Sequence, residues 1–181
     1  MKGSMETLGF LFLIFVEKRR NIMNITVAPR GILQIDDARI IFRNFSGEPS
    51  QFNREGDRNF AVVIPDEEVA AQLADDGWNV KIKPAKDEGE PPFMYLQVKV
   101  KFNDRGPIAY LQTGHKLNKL DEESINVLDN VDIASVDLDI RPYDWEVNGK
   151  TGRSAYLQSI KVVQAIDRFA AEFVDDTEAP F

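Results

Sequence analysis

The 181-residue sequence has no cysteine and a single histidine. A disulfide frame, a thiolate zinc site and a cysteine nucleophile are all excluded, and a reducing cytoplasm is the compartment expected. A Ser/His/Asp triad or a histidine metal site would rest on His115 alone, which sits in the polar stretch Thr113-Gly114-His115-Lys116 and reads as an exposed loop residue. Long apolar runs are missing as well. Residues 8–16 form an apolar run of nine, against the roughly twenty needed to cross a bilayer. A secretory signal fits poorly, because Lys18-Arg19-Arg20 follows that run and no small-residue cleavage site is present. No internal repeat or long low-complexity segment interrupts the chain.

What is present suits one domain. With 43% hydrophobic and 29% charged residues, the chain can bury one good core but is short for two. Its net charge of −8 argues at first against a nucleic-acid partner. Placement weakens the objection: residues 167–181 hold five acids and one base, so this segment alone carries −4. A phosphate backbone meets a local basic strip, while the global sum sets solubility and steering.

The two ends are expected to lie outside the fold. Lys18-Arg19-Arg20 can be encoded by a purine-rich ribosome-binding sequence at a suitable distance from Met23. Residues 1–22 are therefore expected to be a disordered upstream extension read as protein, with a membrane-surface anchor as the second reading. Residues 23–166 are expected to form the domain. Residues 167–181 are expected to form a solvated acidic tail in which Asp175, Asp176 and Glu178 precede Pro180 and the apolar ring of Phe181. A basic pocket on another protein could take those carboxylates and that ring, with proline lowering the entropy lost on docking. A frayed, charged terminus is the plainer alternative.

Between them the pattern is mainly β. Residues 32–45 predict one long strand with Ala38, Ile40 and Phe42 on its apolar side, and 59–64 a second. Pro65-Asp66-Glu67-Glu68 opens a helix that Gly77 stops. Residues 78–83 predict a strand with Val80 and Ile82 inward. In 95–102, Leu96, Val98, Val100 and Phe102 alternate with Tyr95, Gln97, Lys99 and Lys101, the clearest strand signature in the chain. A strand at 108–112 and a short helix at 120–128 follow. Val136, Leu138 and Ile140 begin a long strand, and Asn148-Gly149 turns it back into another that ends near Val163. A short helix is expected at 165–173. Six to eight turn-linked strands suit a small antiparallel barrel, and an OB-fold with five barrel strands plus extra strands and hairpins is the expectation. A jelly roll or two-sheet sandwich is the rival.

Binding single-stranded nucleic acid without sequence preference needs phosphate-tracking cations and rings for bases to stack on, on one surface. Strand parity supplies candidates: Arg39, Arg43 and Phe45 on the first strand, Lys81 and Lys83 on the short one, and Tyr95, Lys99 and Lys101 on the central one. Phe52, Arg54 and Arg58 cluster in and beside the first loop, and Tyr143, Trp145, Lys150 and Arg153 around the hairpin. Phe42, Phe60 and Phe102 fall on apolar faces and are expected in the core. Paired lysines on an exposed strand are also ordinary solvated decoration, so the weight comes from several such faces recurring beside rings.

The segments ARIIFRNFSG (38–47), FNREGDRNF (52–60), DGWNVK (76–81), YLQVKV (95–100) and IRPYDWEVNGK (140–150) together resemble a family of bacteriophage OB-fold single-stranded DNA-binding proteins, over residues 32–163. The acidic Pro-Phe ending is similar to the tips of single-stranded DNA-binding proteins. The resemblance implies a non-enzymatic replication or recombination protein that coats exposed single strands in the host cytoplasm and needs no cofactor. Its tail would recruit a polymerase, helicase or recombinase. A homodimer is compatible with this reading.

Two other classes compete. A magnesium-dependent nuclease would use Asp137 and Asp139, or Asp36 and Asp37 with Asp57, as ligands. A β-rich virion or host-interaction protein would fit the acidic pI of about 4.8 but leave the lysine faces without a use.

Overall fold

The computed structural model describes residues 13–18, 21–167 and 169. Its strands are β1 (Leu13–Lys18), β2 (Asn21–Val27), β3 (Leu33–Asp36), β4 (Ile40–Asn44), β5 (Arg58–Ile64), β6 (Val80–Lys83), β7 (Phe93–Val100), β8 (Ile108–Thr113), β9 (Lys116–Leu120), β10 (Ile133–Val147) and β11 (Lys150–Gln164). One helix, α1 (Glu67–Asp75), and two 3-10 turns, Pro29–Gly31 and Ile125–Asp129, connect them.

The closed five-stranded OB barrel expected from the strand count does not form. The strands build one open sheet in the order β1-β2-β3-β10-β11-β7-β5-β4, with β6 added to β7 and the β8–β9 hairpin added to β11. Its ends, β1 and β4, do not pair with each other, so no barrel closes. Nor is the sheet purely antiparallel: β11 runs parallel to β7 through Ala155–Val98 and Tyr156–Lys99, and parallel to β8 from Ser159–Ile108 to Val163–Gln112. Closure depends on pairings between strands far apart in sequence, and local alternation carries no information about those.

One apolar cluster lies on the sheet's inner side. Leu33, Ile35, Val62, Leu96, Val98, Val136, Leu138, Ile140, Leu157 and Ile160 are all buried there. Helix α1 adds Val69 and Leu73 to the same cluster. It begins as its sequence dictates: the Asp66 carboxylate accepts the Val69 N–H at 2.8 Å, and Glu67 and Glu68 complement the helix dipole. Asn148 and Gly149 take φ of 51° and 77°, the left-handed pair that a tight hairpin requires.

Several local expectations change. The strand predicted over 32–45 is two strands, broken where Asp37 turns to φ 54° and donates its N–H to Asp137 Oδ1 at 2.9 Å. Within β4 the β4–β5 register slips between Ile41 and Asn44, and Phe42 sits at φ 51°. This bulge reverses the parity downstream: Phe42, expected in the core, is 58% exposed, and Phe45, expected on the surface, is fully buried. Ile82, expected inward on β6, is exposed as well. The helix predicted at 120–128 reduces to the 3-10 turn Ile125–Asp129. Of the helix expected at 165–173, residues 165–167 carry no regular structure and most of the rest lies outside the described residues.

Candidate nucleic-acid interface

The site follows from the alternation of β7. Met94, Leu96, Val98 and Val100 point into the core, so Phe93, Tyr95, Gln97 and Lys99 point out. Side chains directly opposite across a sheet share a face. Lys83 therefore stands beside Phe93 and Lys81 beside Tyr95, from β6. On the other part of β7, Tyr156 of β11 stands beside Lys99, and Arg141 of β10 beside Tyr156.

Two ring clusters form on this face. In the first, the bulge at Phe42 swings its ring onto β7, 6.4 Å from Phe93 and 5.8 Å from Tyr95, while Phe93 and Tyr95 are 5.7 Å apart. Lys83 Nζ stands 5.4 Å from the Phe42 centroid and 5.8 Å from that of Tyr95. In the second, Tyr143 meets Tyr156 edge-on at 5.8 Å, and Tyr156 carries Lys99 at 5.8 Å and Arg141 at 5.9 Å. Among the described residues, Lys81, Lys83, Lys99 and Arg141 take part in no ion pair. Their charges are free for an anionic ligand.

Between the clusters a groove of about 630 Å³ runs under the β10–β11 hairpin, lined by Lys81, Gln97, Lys99, Trp145, Gly152 and Arg153 among others. The Trp145 ring lies over Gly152, where a methyl group would come within 2.6 Å of Cε2, so only glycine leaves room for it. Arg153 ties the hairpin to the end of α1. It donates to Asp144 Oδ1 at 2.7 Å and to the Asp76 carbonyl at 2.7 Å, and its guanidinium stands 5.4 Å from the Trp78 ring. The hydrogen bond from Arg153 holds the Asp144 carboxyl below the usual carboxylate range and raises Arg153 in turn. Stability from this pair is present at neutral pH and is lost as pH falls through the lowered Asp144 value.

The other residues expected at the interface divide sharply. Phe45 is buried and stacked on Phe60 at 5.1 Å. Arg43 donates to the carbonyls of Leu128 and Val131, holding the 3-10 turn. Arg58 donates to the Phe45 carbonyl, pairs with Glu122 at 3.2 Å and lies over Phe102. Together with Arg153, these form framework rather than free surface. Arg39, Arg54 and Lys150 are exposed and, unlike Lys83, Lys99 and Arg141, stand over none of the rings, and Lys101 is exposed just past β7. Phe52 is 91% exposed on a loop pinned by Asn53, whose Nδ2 donates to the carbonyls of Glu48, Arg54 and Asp57. The tail residues Asp175, Asp176, Glu178, Pro180 and Phe181 lie outside the described residues.

Phe42, Phe93, Tyr156 and Arg141 belong to the face and were absent from the sequence-based set. Phe93 was readable from its parity with Tyr95, whereas Phe42 depends on a bulge that local pattern does not reveal. Two of the carboxylates considered for a nuclease have other partners: Asp137 accepts the Asp37 N–H, and Asp139 accepts the Ser159 hydroxyl at 3.2 Å. Burial, then the charges of Asp137 and Asp139, push the Asp36 carboxyl up. Among the described residues no group of three or more acidic or histidine side chains is placed to hold a metal ion. None of the helices among them is long and apolar enough to cross a membrane.

The family model described as "Putative phage ssDNA-binding domain" matches residues 23–179, and the chain belongs to that family. Membership of a family of binding domains sets the nuclease reading aside. Among solved structures, the chain is similar to the single-stranded DNA-binding protein from bacteriophage Enc34, at 12% identity and a TM-score of 0.50 over 92% of this chain and 98% of that one. A C-terminal truncation of that protein matches at 12% identity and 0.49, covering 86% and 97%. Its complex with ssDNA matches at 11% and 0.49, covering 87% and 98%. At such identities the likeness concerns the fold alone. No curated protein matches the chain.

Proposed function

We propose that this protein coats single-stranded DNA during phage replication or recombination, without sequence preference, using the outer face of β6, β7, β10 and β11. The observation that carries the reading is the pair of ring clusters, Phe42–Phe93–Tyr95 and Tyr143–Tyr156, with unpaired lysines between them on one sheet face. Bases stack on the rings at about 1–3 kcal/mol each, every base having a π-face, which makes the binding sequence-tolerant. Lys81, Lys83, Lys99 and Lys101 neutralise phosphates and release counterions. Duplex DNA is disfavoured because its bases are already stacked on one another. For the acidic tail, the inference is that its carboxylates compete with DNA for the basic face and that displacement frees Phe181 to recruit a replication or recombination protein.

Titration of a fluorescent oligo-dT against duplex DNA tests this. Single-strand preference that weakens with salt is expected, and Lys99→Glu with Lys101→Glu is expected to reduce the salt slope by about 1.4, at about 0.7 per lost phosphate contact. Removing 175–181 is expected to tighten the same binding. Absence of binding at low salt would overturn the reading.

A further inference from the structure

Past the end of β7 lies a second groove, of about 360 Å³, whose lining includes Arg30, Lys101, Arg105 and Arg141. These cations come from separate parts of the chain: the 3-10 turn Pro29–Gly31, the segment after β7, the following turn and β10. None of them is in an ion pair among the described residues. Four cations line one groove with no carboxylate in the lining, which makes its local potential more positive than the chain's net charge of −8 suggests.

The groove is built on fixed backbone. Asn103 and Gly106 exchange backbone hydrogen bonds of 2.9 and 3.2 Å, and Arg105 donates its N–H to Asn103 Oδ1 at 2.9 Å, so the turn bearing Arg105 is pinned. On the opposite lip, Gly31 packs against Pro142, where an added methyl would lie 3.3 Å from Cγ, which seats the Arg30 turn beside Arg141. Asp104, the acid nearest in sequence, is not part of the lining.

The occupant follows from what lines the groove and from where it leads. Its walls carry no aromatic ring, offering Asn103 and Gln158 beside the cations, while the Ser159 hydroxyl is committed to Asp139. Bases would find nothing to stack on, whereas phosphate oxygens would find charge and hydrogen-bond donors. Arg141 belongs to both surfaces, standing 5.9 Å from the Tyr156 ring and lining the groove. A strand leaving the Tyr156 platform enters the groove directly. We infer that Arg30, Arg105 and Arg141, with Lys101, hold the phosphodiester backbone of the single strand where it runs off the ring-bearing face. The groove is thus a base-independent extension of the binding site, and the inference rests on the single-strand reading given above.

The test uses the full chain carrying Arg30→Gln and Arg105→Gln, two exposed turn residues outside every strand. Oligo-dT affinity is measured across a salt series. The double variant is expected to bind about tenfold more weakly at low salt and to lose about 1.4 from the salt slope, about 0.7 for each contact. Arg30→Lys with Arg105→Lys restores most of both, since a phosphate accepts a point charge. Neutralising Lys116 and Lys119 on β9 produces the same change in net charge and is expected to leave the slope unaltered. If the Arg30/Arg105 variant keeps affinity and slope while Lys81→Glu with Lys99→Glu loses them, the groove is not on the path and the inference fails alone. If neither variant changes binding, the reading of the whole face fails with it.

Discussion

Replacing Phe42 and Tyr95 together by alanine is expected to weaken oligo-dT binding about 100-fold, equivalent to about 2.7 kcal/mol and near the lower end for two stacked bases. Both rings belong to the cluster with Phe93 and both carry Lys83 above them, so their removal takes away a stacking platform and the surface that positions a cation. Neither substitution removes charge. The salt slope should therefore stay that of the parent protein, in contrast to the Lys99 and Lys101 variants. Phe42 is largely exposed and outside the buried core, so the melting temperature is expected to move little. Equilibrium titration at two salt concentrations, with thermal melting alongside, measures all three. An unchanged affinity would remove this cluster from the site.

The second large effect is one of stability. Phe45→Ala is expected to cost about 3–5 kcal/mol of folding free energy, the usual loss for a buried phenylalanine. Its ring is completely buried and stacked on Phe60. Its backbone is tied on both sides as well, the N–H to Asp129 Oδ1 at 2.6 Å and the carbonyl to Arg58 Nε at 2.9 Å. Truncation leaves a cavity inside a framework that cannot collapse to fill it. Urea unfolding should show a lower midpoint, and DNA affinity per folded molecule should be preserved. A stable variant with weakened binding would return Phe45 to the interface that strand parity suggested.

These two phenylalanines show where sequence reading succeeds and where it stops. Three residues apart, they exchange places because one bulge in β4 shifts the register against β5. A bulge is a property of the pair of strands, and neither sequence alone announces it. In β7 the alternation from Tyr95 to Val100 was legible, since strict alternation names buried and exposed faces without knowledge of the neighbours, although the strand runs from Phe93 to Val100 and not from 95 to 102. The Asp66 cap and the Asn148-Gly149 hairpin were legible for the same reason: each is decided within a few residues. The open sheet was not, because its parallel pairings join β11 to β7 and β8 across long intervening segments.

Charge divides along the same line. Arg43, Arg58 and Arg153 look as available in the sequence as Lys81 or Lys99, yet each is committed to acceptors on distant segments: Leu128 and Val131, Glu122, and Asp76. Arg30 and Arg105 are isolated in sequence and become neighbours only when their turns meet beside Arg141. Composition fixes how many cations the chain has. Tertiary pairing decides which of them remain free to meet a phosphate.

Photocrosslinking places the strand most directly. An oligo-dT carrying 5-bromodeoxyuridine is bound to the full chain, irradiated and digested, and the modified residues are located by mass spectrometry. Crosslinks at Phe42, Tyr95 and Tyr156, on both ring clusters of the one sheet face, are the expected result. Crosslinks confined to other surfaces, such as the loop of Phe52, would contradict the account.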